Sequence, residues 1–276
     1  MTVKDESRLR PIASRQNGLV KELRKAFSQG EATPDGAVAI EGVRIIEEAI
    51  RSGLRFQAVF FSENARNHAS RLLPQIASQT ETLVLPDDVF TSAVSTETPQ
   101  GVAALVRWKP AKLEELLEPV NDQLLLVALG GIQDPGNLGT IIRSAEAFAA
   151  RGVLVGEKTV SPFNSKVVRA SAGSIFREPV VRVKLADTVA TMKQAGVRVL
   201  ATSSHKGKPL QEAKFAGPCM IVIGNEGAGL APEILTQADE LITIPHSERV
   251  ESLNAGIAAS IILYEAARQR AMLTAD

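Results

Sequence analysis

The chain has a single cysteine, Cys219, set in the apolar run CMIVIG. One thiol builds neither a disulfide framework nor a cysteine-based metal site, and the run around it reads as a buried strand. Histidine is nearly as scarce: His68, His205 and His246 are scattered with no ligand spacing, so no metal is expected. Neither sign of charge is in excess, with 31 Lys+Arg against 31 Asp+Glu, so no global positive field points to nucleic acid. No apolar run approaches the roughly 18 residues of a membrane-spanning helix. The charged start, MTVKDESR, does not read as a signal peptide. The expectation is a cytoplasmic protein without membrane association. Also missing are a GxxxxGKS/T phosphate loop and the GxGxxG order of a dinucleotide-binding turn.

What remains is 45% hydrophobic and 22% charged residues over 276 positions, a globular composition with room for two domains. Segment 14–27, SRQNGLVKELRKAF, spaces Leu19, Val20, Leu23 and Phe27 as one helix face. The stretch from Met1 to Lys25 holds seven basic residues (Lys4, Arg8, Arg10, Arg15, Lys21, Arg24, Lys25) against Asp5, Glu6 and Glu22. That excess is compatible with phosphate contact but reads more readily as a solvated helix face. Strands are expected over 37–42, 56–62, 81–86 and 101–108, with helices over 43–53 and 64–78. This α/β layer carries no paired carboxylates, phosphate loop or Cys/His cluster, and so suits a binding module. KPAKLEELLEPVND (109–122), with Pro110 and Pro119, reads as a linker holding one short helix. The expected division is an N-terminal domain over 1–110, a linker over 111–122 and a second domain over 123–276.

In the second domain, strands over 124–130, 152–156, 178–183, 197–203, 219–224 and 240–245 alternate with helical segments. The helices are expected over 139–150, 165–171, 187–195 and from about Leu253 onward. Such alternation predicts a parallel sheet covered on both faces, with sites at the carboxyl ends of its strands.

Three polar loops fall at such ends. GGIQDPGNLGTIIRSAEAF (130–148) places Asn137 at a helix entrance and Arg143 six residues later. Alone, Asn137 reads as an N-cap and Arg143 as a surface charge. Yet Arg143 follows Ile141 and Ile142 and precedes Ala145 and Phe148, a setting in which an arginine needs a partner. IVIGNEGAGLAPEI (221–234) sets Glu226 between glycines, which would repel a phosphate and suits a cationic or donor-rich ligand. IPHSERVESLNAGIAASIILYEAAR (244–268) runs from Glu251-Ser252-Leu253-Asn254 into a helix of small residues, with Ser252 or Asn254 able to cap it.

Together the strings DPGNLGTIIRSAEAF, VIGNEGAGL and IPHSERVESLNAGIAASIILYE resemble the three motifs of the SpoU/TrmH branch of the SPOUT RNA ribose methyltransferases. The resemblance covers about 122–270, and SRQNGLVKELRK with IEGVRIIEEAI is similar to the substrate-binding domain often fused in front, itself like ribosomal and kink-turn-binding proteins. It implies an α/β fold: a parallel-sheet SPOUT domain tied in a deep trefoil knot, behind a smaller α/β domain. It further implies S-adenosyl-L-methionine as cofactor, an RNA ribose 2′-hydroxyl as acceptor and a homodimer through the C-terminal domain. By motif position, Gly224, Ile244 and Leu253 would offer backbone groups to the cofactor, in a pocket shared with Ser203, Asn225 and Pro245. Asn137, Arg143, Glu226, Ser252 and Asn254 fall on the catalytic positions. Asn137 would orient Arg143 or the substrate, Glu226 and Asn254 would organise the pocket, and Ser252 would sit near the ribose. Arg143 would bind the adjacent phosphate and stabilise the developing alkoxide, since a guanidinium stays protonated.

One stretch departs from the family's pattern. After the Ile-Pro step members usually carry Met or Leu and then, two residues on, Gly; here the run is His246-Ser247-Glu248. The fused N-terminal domain favours ribosomal (23S) RNA as substrate. The alternatives are a tRNA 2′-O-methyltransferase and a non-catalytic RNA-binding or assembly factor of the same fold.

Overall fold

Helix formation at the N-terminal end follows from a cap and a stripe. Asn17 accepts from the backbone N–H groups of Leu19 and Val20 and starts the helix Gly18–Gln29, which buries Val20, Leu23, Ala26 and Phe27. The structure, a computed structural model, describes residues 8–273. Chain contacts divide it into two units: residues up to Lys109 together with Ser161–Phe176, and Pro110–Val160 together with Arg177 onward.

The first unit is built on a five-stranded mixed sheet. Its strands are β1 (Leu9–Pro11), β2 (Ala37–Glu41), β3 (Arg55–Ser62), β4 (Glu81–Leu85) and β5 (Val102–Arg107), in the order β1-β4-β3-β5-β2. β5 runs antiparallel to both β2 and β3, while β4 is parallel to β1 and β3. Phe60, Leu83, Leu85, Phe90 and Leu105 pack with the Gly18–Gln29 helix in one core. Much of the basic leading segment is structural. Arg8 donates to the carbonyls of Leu73 and Ala77 at 2.8 Å each, Arg24 to that of Ser92 at 3.1 Å, and Arg15 pairs with Asp88 at 2.7 Å. Lys21 and Lys25 are left exposed, and Lys4, Asp5 and Glu6 lie outside the described residues.

Segment 161–176, which the sequence reading places in the second domain, belongs to the first unit. Trp108 explains the attachment: Phe163 and Phe176 meet its ring edge-on, at centroid distances of 5.0 and 5.8 Å. Such T-shaped contacts add specific attraction to the area they bury. The expected linker joins the second unit, where Leu116 of the short helix Leu113–Leu117 enters the core.

The second unit holds a seven-stranded, all-parallel sheet. Its strands are β6 (Leu125–Gly130), β7 (Gly152–Val155), β8 (Val180–Arg182), β9 (Arg198–Thr202), β10 (Lys208–Pro209), β11 (Cys219–Gly224) and β12 (Glu240–Thr243). The order is β10-β12-β9-β11-β6-β7-β8, so β11 and β6 pair near the centre from Cys219↔Leu125 to Gly224↔Gly130. Both strands are buried at every position but the last. Because side chains alternate faces, continuous burial means both faces are covered, as parallel sheets require. Cys219 sits in this core, and burial pushes its thiol pKa up. Beside it, Arg270 of the helix Ala255–Leu273 donates to the carbonyls of Gly217 at 2.7 Å and Leu124 at 3.1 Å. The terminal helix is thereby bonded to the amino end of the central strands.

Candidate active site

The carboxyl ends of β9, β11 and β12 lie side by side in the sheet order. The three segments that follow them enclose a cleft of about 320 Å³. It is lined by Thr202 to Lys206 after β9, by a floor loop from Gly224 to Leu230 after β11, and by Ile244, His246, Ser252 and Leu253 after β12. The size sits at the small end of ligand-binding pockets.

The floor loop has a fixed shape. Asn225 closes it on itself, exchanging backbone hydrogen bonds with Gly229 and accepting at Oδ1 from Gly227 N (2.9 Å) and Ala228 N (3.1 Å). Its Nδ2 donates to the Gly131 carbonyl at 2.9 Å, tying the loop to the end of β6. A Cβ on Gly224 would fall 2.5 Å from Gly229 C and 2.7 Å from Leu230 N, both backbone atoms, so the turn requires glycine.

Behind the cleft the three polar loops join through side chains. Asp134, not Asn137, caps the helix Pro135–Ala147, accepting from Asn137 N at 2.8 Å. That leaves the Asn137 side chain free for other partners; it is 7% exposed and donates through Nδ2 to Glu226 Oε1. Asn254 caps the terminal helix, accepting from Ile257 N at 3.1 Å, and its Nδ2 donates to Asn137 Oδ1 at 2.8 Å and Glu226 Oε1 at 3.0 Å. Glu226 Oε1 also accepts from Ala255 N at 3.0 Å, so the carboxylate lies on a helix N-terminus, where the dipole favours negative charge. Gly256 lets the two helices meet here, since a Cβ would come within 3.2 Å of Asn137 Oδ1 and Thr140 Cβ.

The sequence-derived residues therefore sort into three places. Ser203, Gly224, Asn225, Glu226, Ile244, Ser252 and Leu253 line the cleft, and Asn137 and Asn254 stand behind it on Glu226. Pro245 is not among the lining residues. Arg143 is exposed on the Pro135–Ala147 helix, with no hydrogen bond or ion pair among the described residues. The Asn137 amide is bonded to Glu226 and Asn254 and makes no hydrogen bond to Arg143 among the described residues. Nor do the apolar neighbours of Arg143 enclose it. Ile141 and Ile142 are buried, whereas one more residue of helical rotation carries Arg143 into solvent. Sequence reasoning missed Thr202, His205, Lys206 and Ala228 as lining residues. The signal for the first three was their place at the carboxyl end of the VRVLATS strand.

Comparison with known proteins matches the pattern described as SpoU rRNA Methylase family over residues 124–264, and that of the MRM3-like substrate binding domain over residues 17–104. The chain belongs to the SpoU rRNA methylase family. A 23S rRNA (guanosine(2553)-2′-O)-methyltransferase, RlmP, of Bacillus subtilis (strain 168) is 34% identical over 93% of this chain and 98% of its own length. A 23S rRNA (uridine(2479)-2′-O)-methyltransferase of Streptomyces viridochromogenes is 32% identical over 88% of this chain and 86% of its own. Among solved structures, the AdoMet-bound rRNA methyltransferase from Sinorhizobium meliloti superposes with a TM-score of 0.82 at 28% identity, covering 95% of this chain and 98% of that one.

The structure shows what the His246-Ser247-Glu248 run does locally. His246 Nδ1 lies 2.7 Å from the Ile244 carbonyl, so the ring holds the turn two residues back, and its centroid lies 5.9 Å from that of the His205 ring. Both imidazoles line the cleft wall.

Proposed function

We propose that this chain transfers the methyl group of S-adenosyl-L-methionine to a ribose 2′-hydroxyl of 23S ribosomal RNA. The observation that carries the proposal is the cleft itself, lined by two of the motif loops and the segment after β9, and backed by the Asn137–Glu226–Asn254 cluster that ties in the third. The cleft suits the cofactor. Its floor demands glycine at Gly224, leaves backbone at the surface, and carries Glu226 where a nucleotide-phosphate site would carry a cation. When bound, the cofactor supplies an electrophilic methyl on a positively charged sulfur. Backbone groups of Gly224, Ile244 and Leu253 would hold it, with Ser203 and Asn225 beside them in the lining and Pro245 setting the turn after Ile244.

The protein's contribution is positioning. Glu226, fixed by three donors, sets the floor loop against both helix starts, and Ser252 on the wall faces the acceptor ribose. Arg143 keeps its proton, binds the phosphate beside the target and stabilises oxygen charge as the hydroxyl loses its own proton. Arg143 acts across a homodimer interface, a role its exposed setting suits. The terminal helix presents Ile257, Ile261 and Tyr264 at 54%, 37% and 56% exposure, spaced as one stripe for a second copy to cover. The SPOUT domain carries the trefoil knot of its class, the first unit is the RNA-binding module akin to kink-turn-binding proteins, and the enzyme works in the cytoplasm.

The test is methyl transfer from radiolabelled S-adenosyl-L-methionine to unmodified 23S rRNA, followed by mapping of ribose methylation. Label confined to one ribose is the expected result. Cofactor binding without incorporation into any RNA pool would overturn it.

A further inference from the structure

The first unit contains a second cleft, of about 390 Å³, that the transfer reaction leaves without a role. It opens where β3 ends at Ser62 and β5 begins at Val102. Its base is a close approach of chain segments: Gly101, at φ +76°, lies so near Ser62 and the turn that follows it that a Cβ would fall 2.4 Å from Ala65 Cβ and 2.5 Å from Ser62 Oγ. The Gly101 carbonyl accepts from Ser62 N at 2.8 Å, and buried Phe90 lies beneath. The cleft is therefore preformed on strand ends.

Its walls carry amides. Asn64 is held by Asp87, whose Oδ1 accepts from Asn64 N at 3.3 Å and whose Oδ2 accepts from the Asn64 side-chain amide. Asn67 and Gln100 are exposed and have no side-chain hydrogen bond among the described residues. The His68 imidazole and the Pro99 ring also line it. No Lys or Arg lines the cleft, and Asp87 does. Phosphate is disfavoured by that charge. Solvent-facing amides that make no protein hydrogen bond, beside the flat His68 ring, instead match a nucleobase, whose edge both donates and accepts and whose face stacks.

We propose that this cleft takes one unpaired nucleobase of the substrate RNA, read by Asn67 and Gln100. The inference rests on the RNA-methyltransferase reading of the chain, and it assigns the first unit a base-reading site rather than general affinity for the RNA backbone. Phosphate contacts elsewhere would supply salt-dependent affinity, and this cleft the selectivity.

The experiment compares the full-length protein with Asn67→Ala/Gln100→Ala, using 23S rRNA transcribed in vitro over a salt series. The expected result is RNA affinity lower by about tenfold or more, an unchanged salt slope, and unchanged affinity for S-adenosylhomocysteine. Gln100→Glu, which keeps the shape but removes the amide donors, should lose affinity as well. Wild-type affinity in the double variant, with methyl transfer intact, overturns the base site and leaves the methyltransferase reading standing. A salt slope reduced by about 0.7 per lost contact, the single-strand value, identifies phosphate instead and also overturns it. A wild-type protein that neither binds nor methylates the transcript removes both readings.

Discussion

Asn254 donates to Asn137 Oδ1 at 2.8 Å across 117 residues of chain, joining the starts of the Pro135–Ala147 and Ala255–Leu273 helices. Both amides converge on one carboxylate oxygen of Glu226. Removing any member leaves donors or acceptors without partners in a partly buried site. Asn254→Ala should therefore destabilise the fold by about 1–3 kcal/mol, since it loses a helix cap and two side-chain bonds. A double-mutant cycle of Asn137→Ala and Asn254→Ala, read by denaturant unfolding, should show coupling of about 0.5–3 kcal/mol. Additive losses would mean that the two amides act separately.

Arg143 should behave in the opposite way. It is exposed and has no partner among the described residues, so Arg143→Ala should change stability by no more than about 0.5 kcal/mol. Methyl transfer should nevertheless be abolished, with affinity for S-adenosylhomocysteine intact. If the arginine serves the partner's cleft, an inactive Arg143→Ala chain mixed with an inactive Glu226→Ala chain should recover part of the activity on forming mixed dimers. No recovery on mixing would return Arg143 to its own subunit.

These contrasts mark what the sequence could disclose. Cys219–Gly224 is a strand at the boundaries expected of it, because an unbroken apolar run between breakers leaves few alternatives. The three polar loops were legible as a set, because strand-end chemistry concentrates charge, amide and glycine in short strings. The capping of the Pro135–Ala147 helix was not: Asn137 and Asp134 are both good caps, and only the local turn selects Asp134. The allegiance of 161–176 was equally hidden, because Phe163 and Phe176 declare it only by reaching Trp108. β1 and β10, three and two residues long, are too short to show a period. The second cleft draws on Ser62 to His68 and on Pro99 to Gly101, segments that no single motif joins.

Gly224→Ala tests the cofactor cleft directly. The added methyl meets the backbone of Gly229 and Leu230 rather than a movable side chain, so the floor loop must shift. Titration with S-adenosylhomocysteine should show affinity weaker by about tenfold or more. RNA binding should persist, because the first unit does not depend on that turn. Unchanged cofactor affinity would place the pocket elsewhere.

A buried carboxyl should make stability depend on pH. Glu178, 7% exposed, has a pKa pushed from 4.5 up to about 8, first by burial and then by the neighbouring Glu146 carboxylate. Its Oε1 is buried without a hydrogen-bond partner, which costs more once the group is charged. Between these two pKa values the folded protein keeps a proton that the unfolded chain has released. The contribution of Glu178 to folding stability is therefore greatest below the unfolded value and falls as pH rises toward about 8. Glu178→Gln removes the titration while keeping the neutral shape. The variant should match wild type near pH ~5 and exceed it near pH ~9 by up to a few kcal/mol. Denaturant unfolding of both proteins across that range is the measurement. Parallel curves, with no gap opening as pH rises, would show that Glu178 is already ionised in the fold.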